Sequence, residues 1–324
     1  MATEQVVIGV DGGGTYTRVL CTDLAGSVLA RVQAGGANPS KNHDAEQNIQ
    51  QALWQVLTLA QRRPEQVAAL VAGIAGLDEP DDVTWAERFT TLPGFVIKPL
   101  CLNDAVVAWA GALALQPGII VIAGTGCIIF GVTEKGRQVR NYQFGHYASA
   151  TARHLTFATL FCVLAGEVTA ADQAFIVQLL AYFGVTTVRE LAEQAAENEA
   201  MDHSALVRLY SGCAPLITAA AEQGVPLACA VCNAAVDALA QGVRVVGSLF
   251  DNPTISYALT GGVVRAPYLQ RRLLQTLAMP TNKMYKGVEP DFAPEIGAVL
   301  VGLQQLAVPL DEELRNRLHD EGGR

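Results

Sequence analysis

The sequence predicts an α/β fold with two domains, on three observations. Short apolar runs typical of buried strands alternate with longer segments of helical spacing. The chain has 324 residues, of which 51% are hydrophobic, so it can bury a large core, and its length suggests about two domains. Two landmarks recur at one spacing: Thr125 lies 110 residues after Thr15 (125 − 15), and Gly136 lies 110 after Gly26 (136 − 26). This equal spacing suggests a duplicated unit.

The charge balance favours a small-molecule ligand. With 31 acidic and 22 basic residues the net charge is -9, which disfavours nucleic acid or an anionic membrane surface as the main partner. No run of 18 or more apolar residues appears, and the densest apolar stretch, 155–166, is too short to span a membrane. Residues 1–5 lack the basic and apolar regions of a signal peptide, so we expect a cytoplasmic protein without a membrane partner.

Cysteine usage fits the same compartment. The seven cysteines are an odd number, scattered through apolar surroundings, as expected for reduced and buried thiols. Cys229 and Cys232 form one C-x-x-C, but they lie in a helical-looking stretch, 226–250, with no second pair. This favours small buried residues over a metal or redox site.

Residues 6–18, VVIGVDGGGTYTR, are the stretch around which the chain is organised. A short apolar strand ends on a carboxylate, followed by glycines and threonines: Asp11, Gly12, Gly13, Gly14, Thr15 and Thr17. Consecutive glycines leave backbone N–H groups uncovered and free to adopt positive φ, so the turn can wrap a phosphate, while Asp11 can hold a hydrated cation. The pattern favours a nucleoside triphosphate site and matches neither G-x-G-x-x-G nor the P-loop. The alternative is an ordinary glycine-rich hairpin turn.

The first half of the chain reads as a sheet with helices. The predicted strands are 6–10, 16–23 and 28–34, which form a meander, and then 67–74 and 96–102. A helix is predicted from residue 44, after the loop GGANPS at 35–40, and another from residue 105. The stretch 108–115 within the latter is a candidate hinge-side helix.

The second half begins with a repeat of the first hairpin and then becomes helical. Strands are predicted at 119–123 and 127–133 around the turn 124–126, and at 256–259. Helices are predicted at 171–183, 187–197, 204–223, 226–250, 266–278 and 293–306, with turn residues Gly184, Asn198, Gly224 and Asn252 near the ends of the first four. The last strand runs into Gly261 and Gly262, a further place where backbone can approach a ligand.

We predict domain limits of 1–115 and 116–324, with the last helix, 293–306, packing back on the first lobe. The duplicated halves are expected to face each other and to place their two threonine-bearing turns around one polyphosphate.

Four motifs, read together, resemble one family. IGVDGGGT, the NDA of residues 103–105, the IAGTG of 122–126 and the LTGG of 259–262 look like the N-acetylglucosamine kinase family. That family belongs to the BadF/BadG/BcrA/BcrD-type ATPase group within the actin, hexokinase and heat-shock-ATPase superfamily. The resemblance covers the chain from residue 6 to about residue 306.

The resemblance implies two ribonuclease-H-like, actin-like ATPase domains flanking a cleft that holds ATP and Mg²⁺. It implies that Asp11 holds Mg²⁺ through water and that Asp104 is the catalytic carboxylate. The residues matching the two phosphate loops are Gly12, Gly13, Gly14 and Thr15, with Thr17 beside them, and Gly124, Thr125 and Gly126. Gly261 and Gly262 would lie against the adenosine, and the residues assigned to the sugar are Asn38, Asn103, Asp104, Gly145 and His146.

Asp104 suits that role chemically, because phosphoryl transfer needs a positioned hydroxyl group and a nearby carboxylate can accept its proton. Without the family, a helix N-cap is the favoured interpretation of Asp104.

One family motif is missing. Members typically carry a segment like G-x-x-G-D-E-G-S, but here the stretch is FGHYASATARHL, with no acidic residue between Glu134 and Glu167. Aligning Gly145 and His146 with the start of the motif places Ala150 and Thr151 where the carboxylates stand. Such a loss removes acceptors for sugar hydroxyls and can change the substrate.

The polar groups left in that segment have open roles. His146 can bind a sugar hydroxyl or a phosphate, or be a structural residue on an apolar helix. Arg153 can pair with a phosphate or solvate a helix face.

We expect a sugar kinase that phosphorylates an amino sugar, N-acetylglucosamine or glucosamine-like, with a homodimer as the common state in the family. The alternative is a nucleotide-binding regulator or a degenerate paralogue that has lost its sugar contacts. An ATPase that activates a radical dehydratase is a third hypothesis, disfavoured because its cysteines would need other positions. The particular sugar and hydroxyl group do not follow from the sequence.

Overall fold

The structure is a computed structural model that describes residues 4–79, 81–197, 203–279, 281 and 283–322. The helix end predicted near Asn198 lies outside these residues. The described chain divides into two compact units, one of residues 4–116 and 289–322 and one of residues 117–288. The domain limits 1–115 and 116–324 stay a prediction.

Each unit holds one five-stranded sheet. The first sheet has the order β3-β2-β1-β4-β5 and the second the order β10-β9-β6-β7-β8. The strands are β1 Val6–Gly12, β2 Tyr16–Asp23, β3 Val28–Gly35, β4 Val67–Ile74, β5 Leu100–Asn103, β6 Gly118–Ala123, β7 Cys127–Val132, β8 Gln138–Arg140, β9 Thr254–Thr260 and β10 Met284–Val288.

Helices cover the sheets. They are α1 Ala45–Leu59, α2 Asp82–Thr90, α3 Asp104–Ala112, α4 Ala152–Ala165, α5 Gln173–Tyr182, α6 Val188–Glu197, α7 His203–Gly212, α8 Ala214–Glu222, α9 Pro226–Gly247, α10 Pro267–Ala278, α11 Pro294–Gln305 and α12 Glu312–Gly322. The predicted α/β class with two domains is confirmed.

The two sheets repeat one topology. In each, three strands form an antiparallel meander, β1-β2-β3 or β6-β7-β8, and two further strands add in parallel to the first, β4 and β5 or β9 and β10. The turns after the second strands both place a glycine at positive φ, Gly26 at 87° and Gly136 at 74°. These equivalences support the duplicated unit.

Close backbone approach fixes α11 in the first unit. A Cβ added at Gly9 in β1 would lie 2.3 Å from the carbonyl oxygen of Glu295, and one at Gly297 would lie 2.1 Å from that of Val107 in α3. Only glycine permits these contacts, because any side chain would meet backbone atoms. Helix α11, the predicted helix 293–306, therefore packs directly on β1 and α3, within the unit that contains the glycine turn.

Helix α9 forms much of the core of the second unit. Asp172 fixes its start, since the Asp172 carboxylate accepts the backbone N–H of Leu227 at 2.8 Å. Among the described helices, α9 is the one long and apolar enough to cross a membrane, although the densest apolar stretch of the sequence lies in α4. This is weak evidence for a span, because 56% of its apolar window is buried inside the protein, as in any core helix.

Several element predictions need correction. The strand predicted at 96–102 starts only at Leu100, because Pro99 has no N–H to donate to a ladder. The helix predicted at 204–223 is two helices, α7 and α8, since Pro215 cannot continue the hydrogen bonding of α7. Strands β8 and β10 and helices α2 and α12 were not predicted.

All seven cysteines are free thiols. Burial raises the pKa of Cys232 to about 12, so its thiol stays protonated at neutral pH. A metal ligand or redox thiol needs the thiolate form, and this supports the structural interpretation of the C-x-x-C pair.

Candidate functional site

The glycine turn of the first unit is the tip of the β1–β2 hairpin, where the N–H of Gly13 donates to the carbonyl of Tyr16 at 2.9 Å. Gly12, Gly13 and Gly14 all lie outside the positive-φ region, so the turn does not use the positive φ that its glycines allow. The glycines instead permit close approach, since a Cβ at Gly12 would lie 2.7 Å from the Cβ of Ala37. Thr15 is exposed at the tip. A hairpin turn and a phosphate-binding turn are compatible here.

The Thr17 side chain makes a hydrogen bond within the protein and is not exposed to a ligand. Its side chain is fully buried, and its hydroxyl donates to the carbonyl of Gly35 at 2.6 Å. This bond ties β2 to the end of β3. The assignment of Thr17 to the phosphate site stays a prediction from the sequence.

Asp11, at the end of β1, carries a strongly perturbed carboxyl group. Its pKa is raised to about 7, mainly by burial and also by the charges of Glu295 and Asp104, while Arg18 opposes the rise. Arg18 Nη1 lies 3.2 Å from the carboxylate. Because the charged form of this carboxyl group is disfavoured, a cation bound beside it would stabilise the carboxylate and lower its pKa.

Glu295 is a second acidic residue close to Asp11. It is 1% exposed and pairs with Arg31, yet its Oε2 accepts no hydrogen bond from the residues that the structure describes. A cavity of about 680 Å³ adjoins it, lined by Arg18, Arg31, Val32, Gln33, Ala293, Pro294 and Glu295. An unsatisfied carboxylate oxygen beside Asp11 fits hydrated Mg²⁺, which prefers oxygen ligands and keeps several waters.

Asn103, not Asp104, is the N-cap of α3. Its Oδ1 accepts the N–H of Ala105 at 3.0 Å, and its Nδ2 donates to Asp78 Oδ1 at 3.0 Å and to the carbonyl of Leu77 at 3.3 Å. The N-cap interpretation of Asp104 is therefore wrong: Asn103 occupies the N-cap position, and Asp104 is the first helical residue. Asn103 uses its whole side chain to hold the start of this helix.

The Asp104 carboxyl has a pKa raised to about 6, mainly by burial and further by the charge of Asp78. The N–H of Ala105 and the charge of Lys41 oppose the rise. A base whose pKa lies near neutral pH can both accept and release a proton, which is the property required of a general base.

The loop that carries Asn38 is attached to the glycine turn. Asn38 is buried, and its Oδ1 accepts the N–H of Ser40 at 2.9 Å. Asn42 Nδ2 donates to the carbonyl of Gly14 at 2.9 Å, which fixes the loop against the turn. Asn38 therefore also stabilises its own loop.

In the second unit, the turn 124–126 joins β6 to β7 and lies beside the LTGG turn. Gly261 has φ of +99°, and Val263 N–H donates to the carbonyl of Ala123 at 3.0 Å. Gly126 is exposed beside them. A cavity of about 310 Å³ opens here, lined by Gly124, Thr125, Ala152, Ser211, Ala214, Pro215, Thr218, Gly262 and Val263. The structure thus brings three predicted residues, Gly124, Thr125 and Gly262, to one cavity.

Helices α7 and α8 supply further residues that line this cavity, among them Ser211 and Thr218. The hydroxyl oxygen of Ser211 is buried without a hydrogen-bond partner in the described chain. No local pattern marks Ser211 or Thr218, because both come from a helical segment whose place over the turn is set by packing.

Gly145 and His146 follow a short 3₁₀ turn in the second unit. Gly145 has φ of 69°, so it serves the backbone conformation. His146 lies in a loop, not on a helix, and Asn141 Nδ2 donates to its carbonyl at 2.9 Å. A Cβ at Gly242 of α9 would lie 2.8 Å from His146 Cε1, so the imidazole packs on that helix. These contacts support the structural alternative for His146.

The segment that replaces the missing acidic motif starts α4. Ala150 is fully buried, and Thr151 is the N-cap, whose Oγ1 accepts the N–H of His154 at 3.2 Å. His154 Nδ1 lies 2.9 Å from the same hydroxyl. Burial and then the neighbouring charge of Arg153 lower the pKa of His154.

Three residues near Asp104 or Asp11 were missed: Lys41, Asp78 and Glu295. Asp78 follows β4 as Asp104 follows β5, and the ends of parallel strands meet at one sheet edge, so this signal was available. Glu295 lies on the last part of the chain and carries no local signal.

Two curated proteins resemble part of this chain. One is an N-acetylmuramic acid/N-acetylglucosamine kinase of Clostridium acetobutylicum, 34% identical over 144 residues, or 44% of this chain and 47% of that protein. The other is an N-acetyl-D-glucosamine kinase of Dictyostelium discoideum, 28% identical over 158 residues, or 44% of this chain and 48% of that protein. The chain therefore spans about half the length of the curated relatives it matches.

Among solved structures, a protein of Chromobacterium violaceum, provisionally named an N-acetylglucosamine kinase, superposes with a TM-score of 0.69. The match covers 93% of this chain and all of that one at 23% identity, so it shows the shared fold alone. The family model that matches is that of the BadF/BadG/BcrA/BcrD ATPase family, over residues 8–302. Because this match takes in both glycine turns and the Asn103–Asp104 pair, the chain belongs to the BadF/BadG/BcrA/BcrD ATPase family.

Proposed function

We propose that the protein is an ATP-dependent kinase that phosphorylates a hydroxyl group of an amino sugar, N-acetylglucosamine or glucosamine-like. The observation that carries the proposal is the Asp104 carboxyl, half-buried directly after the parallel strand β5, with a pKa raised to about 6 and close enough to Asp11 for the two charges to interact. A carboxylate so placed beside a glycine turn is suited to take a proton from an alcohol. The kinase names of the partial relatives support the sugar substrate.

ATP and Mg²⁺ are the proposed cofactors. In the first unit the backbone of the turn 12–14 with Thr15 would bind phosphate, and Asp11 with Glu295 would hold hydrated Mg²⁺. In the second unit the turn 124–126 and the glycines at 261–262 would serve the nucleotide, with the cavity of about 310 Å³ as the place for its nucleoside part. The chemistry that Mg²⁺ supplies is neutralisation of charge on the phosphate oxygens.

Each polar residue then has a defined task. Asp104 accepts the proton of the attacking sugar hydroxyl, and Asn103 keeps that carboxylate in place by holding the first turn of α3 against Asp78. Asn38 and His146 are the remaining proposed sugar contacts. A cytoplasmic location and a homodimer stay predictions.

The test is coupled ADP release with Mg²⁺·ATP against N-acetylglucosamine, glucosamine, N-acetylmuramic acid derivatives and glucose. Wild type should turn over at least one amino sugar, and Asp104→Asn should lower kcat by about 100-fold or more with little change in KM, because the base is lost and the shape is kept. The control is Asp81→Asn, an exposed acid outside the candidate site. Sugar-dependent turnover that survives in Asp104→Asn would contradict the assignment of the base.

A nucleotide-binding regulator is the second candidate, favoured by one observation. The positions aligned with the missing acidic residues are a fully buried alanine, Ala150, and a helix N-cap, Thr151, so neither offers a carboxylate to a sugar. Wild type that binds ATP but releases no ADP with any sugar of the panel would support this candidate.

A further inference from the structure

Lys41 lies over the glycine turn of the first unit. A Cβ added at Gly14 would lie 3.2 Å from Lys41 Cδ and 3.5 Å from its Nζ, so the lysine side chain runs across the face of Gly14. In the part of the chain that the structure describes, no carboxylate lies within ion-pair distance of this ammonium group. It is exposed, and so is free to meet an anion from solution.

Contacts between its loop and the glycine turn fix the position of the Lys41 backbone. Asn42, its neighbour, donates to the carbonyl of Gly14 at 2.9 Å, and the N–H of Ala37 donates to that of Gly13 at 2.9 Å. A Cβ at Gly36 would lie 2.5 Å from the carbonyl oxygen of Gly14, so the loop and the turn touch backbone to backbone. The loop therefore holds the base of the lysine side chain at a fixed place beside the turn.

Charge gives a second, independent indication. Lys41 is near enough to Asp104 to oppose the rise in the pKa of that carboxyl group. The ammonium group thus lies within electrostatic reach of both the turn proposed to bind phosphate and the residue proposed as base. A phosphoryl group transferred from a phosphate at the turn to a hydroxyl group beside Asp104 would pass within reach of Lys41.

We propose that Lys41 binds the terminal phosphate of ATP and stabilises the charge on the phosphoryl group during its transfer. This inference rests on the proposed kinase function and adds a residue to its site.

In the step itself the acceptor hydroxyl oxygen forms a bond to the terminal phosphorus, and its proton goes to Asp104. The bond from that phosphorus to the bridging oxygen breaks, and the electron pair stays on ADP. Lys41 remains protonated throughout and contacts the non-bridging oxygens. An ammonium donor is effective there because charged hydrogen bonds to phosphate are stronger than neutral ones.

The test measures binding of AMP-PNP and of AMP to the full chain by calorimetry, for wild type, Lys41→Met and Lys41→Arg. Lys41→Met should weaken AMP-PNP about 10- to 100-fold and leave AMP within about twofold, since AMP lacks the terminal phosphate. Lys41→Arg should keep most of the affinity, because it keeps the charge. The matched control is Lys98→Met, an exposed lysine of the same unit that pairs with Glu87 at 2.8 Å.

A second variant tests the geometry. Gly14→Ala puts a methyl group 3.2 Å from Lys41 Cδ, which displaces the lysine side chain, so it should weaken AMP-PNP binding in wild type and add little in the Lys41→Met background. Equal AMP-PNP affinity in wild type and Lys41→Met overturns the proposal, as does full additivity of the two substitutions. Because the assay needs no sugar, it decides on Lys41 even if no sugar is phosphorylated. Wild type that binds no AMP-PNP would overturn the kinase function and this inference together.

Discussion

At the scale of single residues, Asp104 shows how opposing effects set the pKa of one carboxyl group. Burial and the charge of Asp78 raise its pKa, and the N–H of Ala105 and the charge of Lys41 lower it, with a result of about 6. The same Asp78 accepts a hydrogen bond from Asn103, the cap that fixes the helix on which Asp104 stands. Asp78 therefore influences both the position and the basicity of the proposed base.

We expect kcat/KM for sugar phosphorylation to rise with pH, with a midpoint near pH 6, because Asp104 must be deprotonated to accept a proton. Asp78→Asn keeps an oxygen that can accept the Asn103 hydrogen bond but removes the negative charge. The midpoint of the pH profile should therefore move to lower pH in this variant. Initial rates between pH 4.5 and 8.5 measure it, and a midpoint that stays in place or rises would show that Asp78 does not act on Asp104.

At the scale of elements, the start of α4 explains how the chain folds without the acidic motif. Thr151 is the N-cap of α4, and Ala150 before it belongs to the core of the second unit. A threonine hydroxyl and an aspartate carboxylate are both good N-caps, whereas a carboxylate in the core is not tolerated. A carboxylate should therefore be tolerated at position 151 but not at position 150.

Restoring the acids one at a time should separate the two positions. Thr151→Asp should keep the free energy of unfolding within about 1 kcal/mol of wild type, because aspartate caps a helix as threonine does. Ala150→Asp should cost about 3 kcal/mol or more, because its carboxylate is buried without a partner. Urea denaturation followed by circular dichroism measures both, and Ala150→Asn serves as the uncharged control. Similar costs for the two aspartates would contradict the burial assigned to Ala150.

At the scale of the whole molecule, the chain keeps two half-buried acids, Asp11 and Asp104, whose charged forms do not favour the folded state. The pKa of Asp11 is raised to about 7 and that of Asp104 to about 6, so folding is opposed when both groups are ionised. For such raised carboxyl groups the stabilising effect is complete below the unfolded pKa and is lost as pH rises through the folded pKa. The free energy of unfolding contributed by these groups therefore falls between about pH 4 and pH 7.

Asp11→Asn removes one of these groups and keeps an oxygen for Arg18. The variant should be more stable than wild type at pH 8, by on the order of 2 kcal/mol, and the difference should shrink towards pH 4. Urea denaturation at pH 4.5, 6 and 8 measures it, with Asp311→Asn, an exposed acid near the C-terminus, as control. A difference that does not change with pH would contradict the raised pKa of Asp11.

Much of the fold could be predicted because it rests on local patterns. The strand 67–74 and the strand 16–23 have the predicted limits, since apolar runs between turn residues mark buried strands directly. The meander and its glycine turn followed in the same way. Errors arose where a single proline decided the outcome, as at Pro99 and Pro215, or where short strands such as β10 join an existing sheet.

The sequence by itself determined the α/β class, the repeated hairpin, the family motifs and the absence of acidic residues between Glu134 and Glu167, because each is a matter of residue type and spacing. Only the tertiary structure decided that Lys41 lies over Gly14 and that Glu295 stands beside Asp11. It also decided that Asn103 rather than Asp104 caps α3. The physical reason is that these roles depend on burial, charge and contacts between segments far apart in the chain, which packing creates and local pattern does not contain.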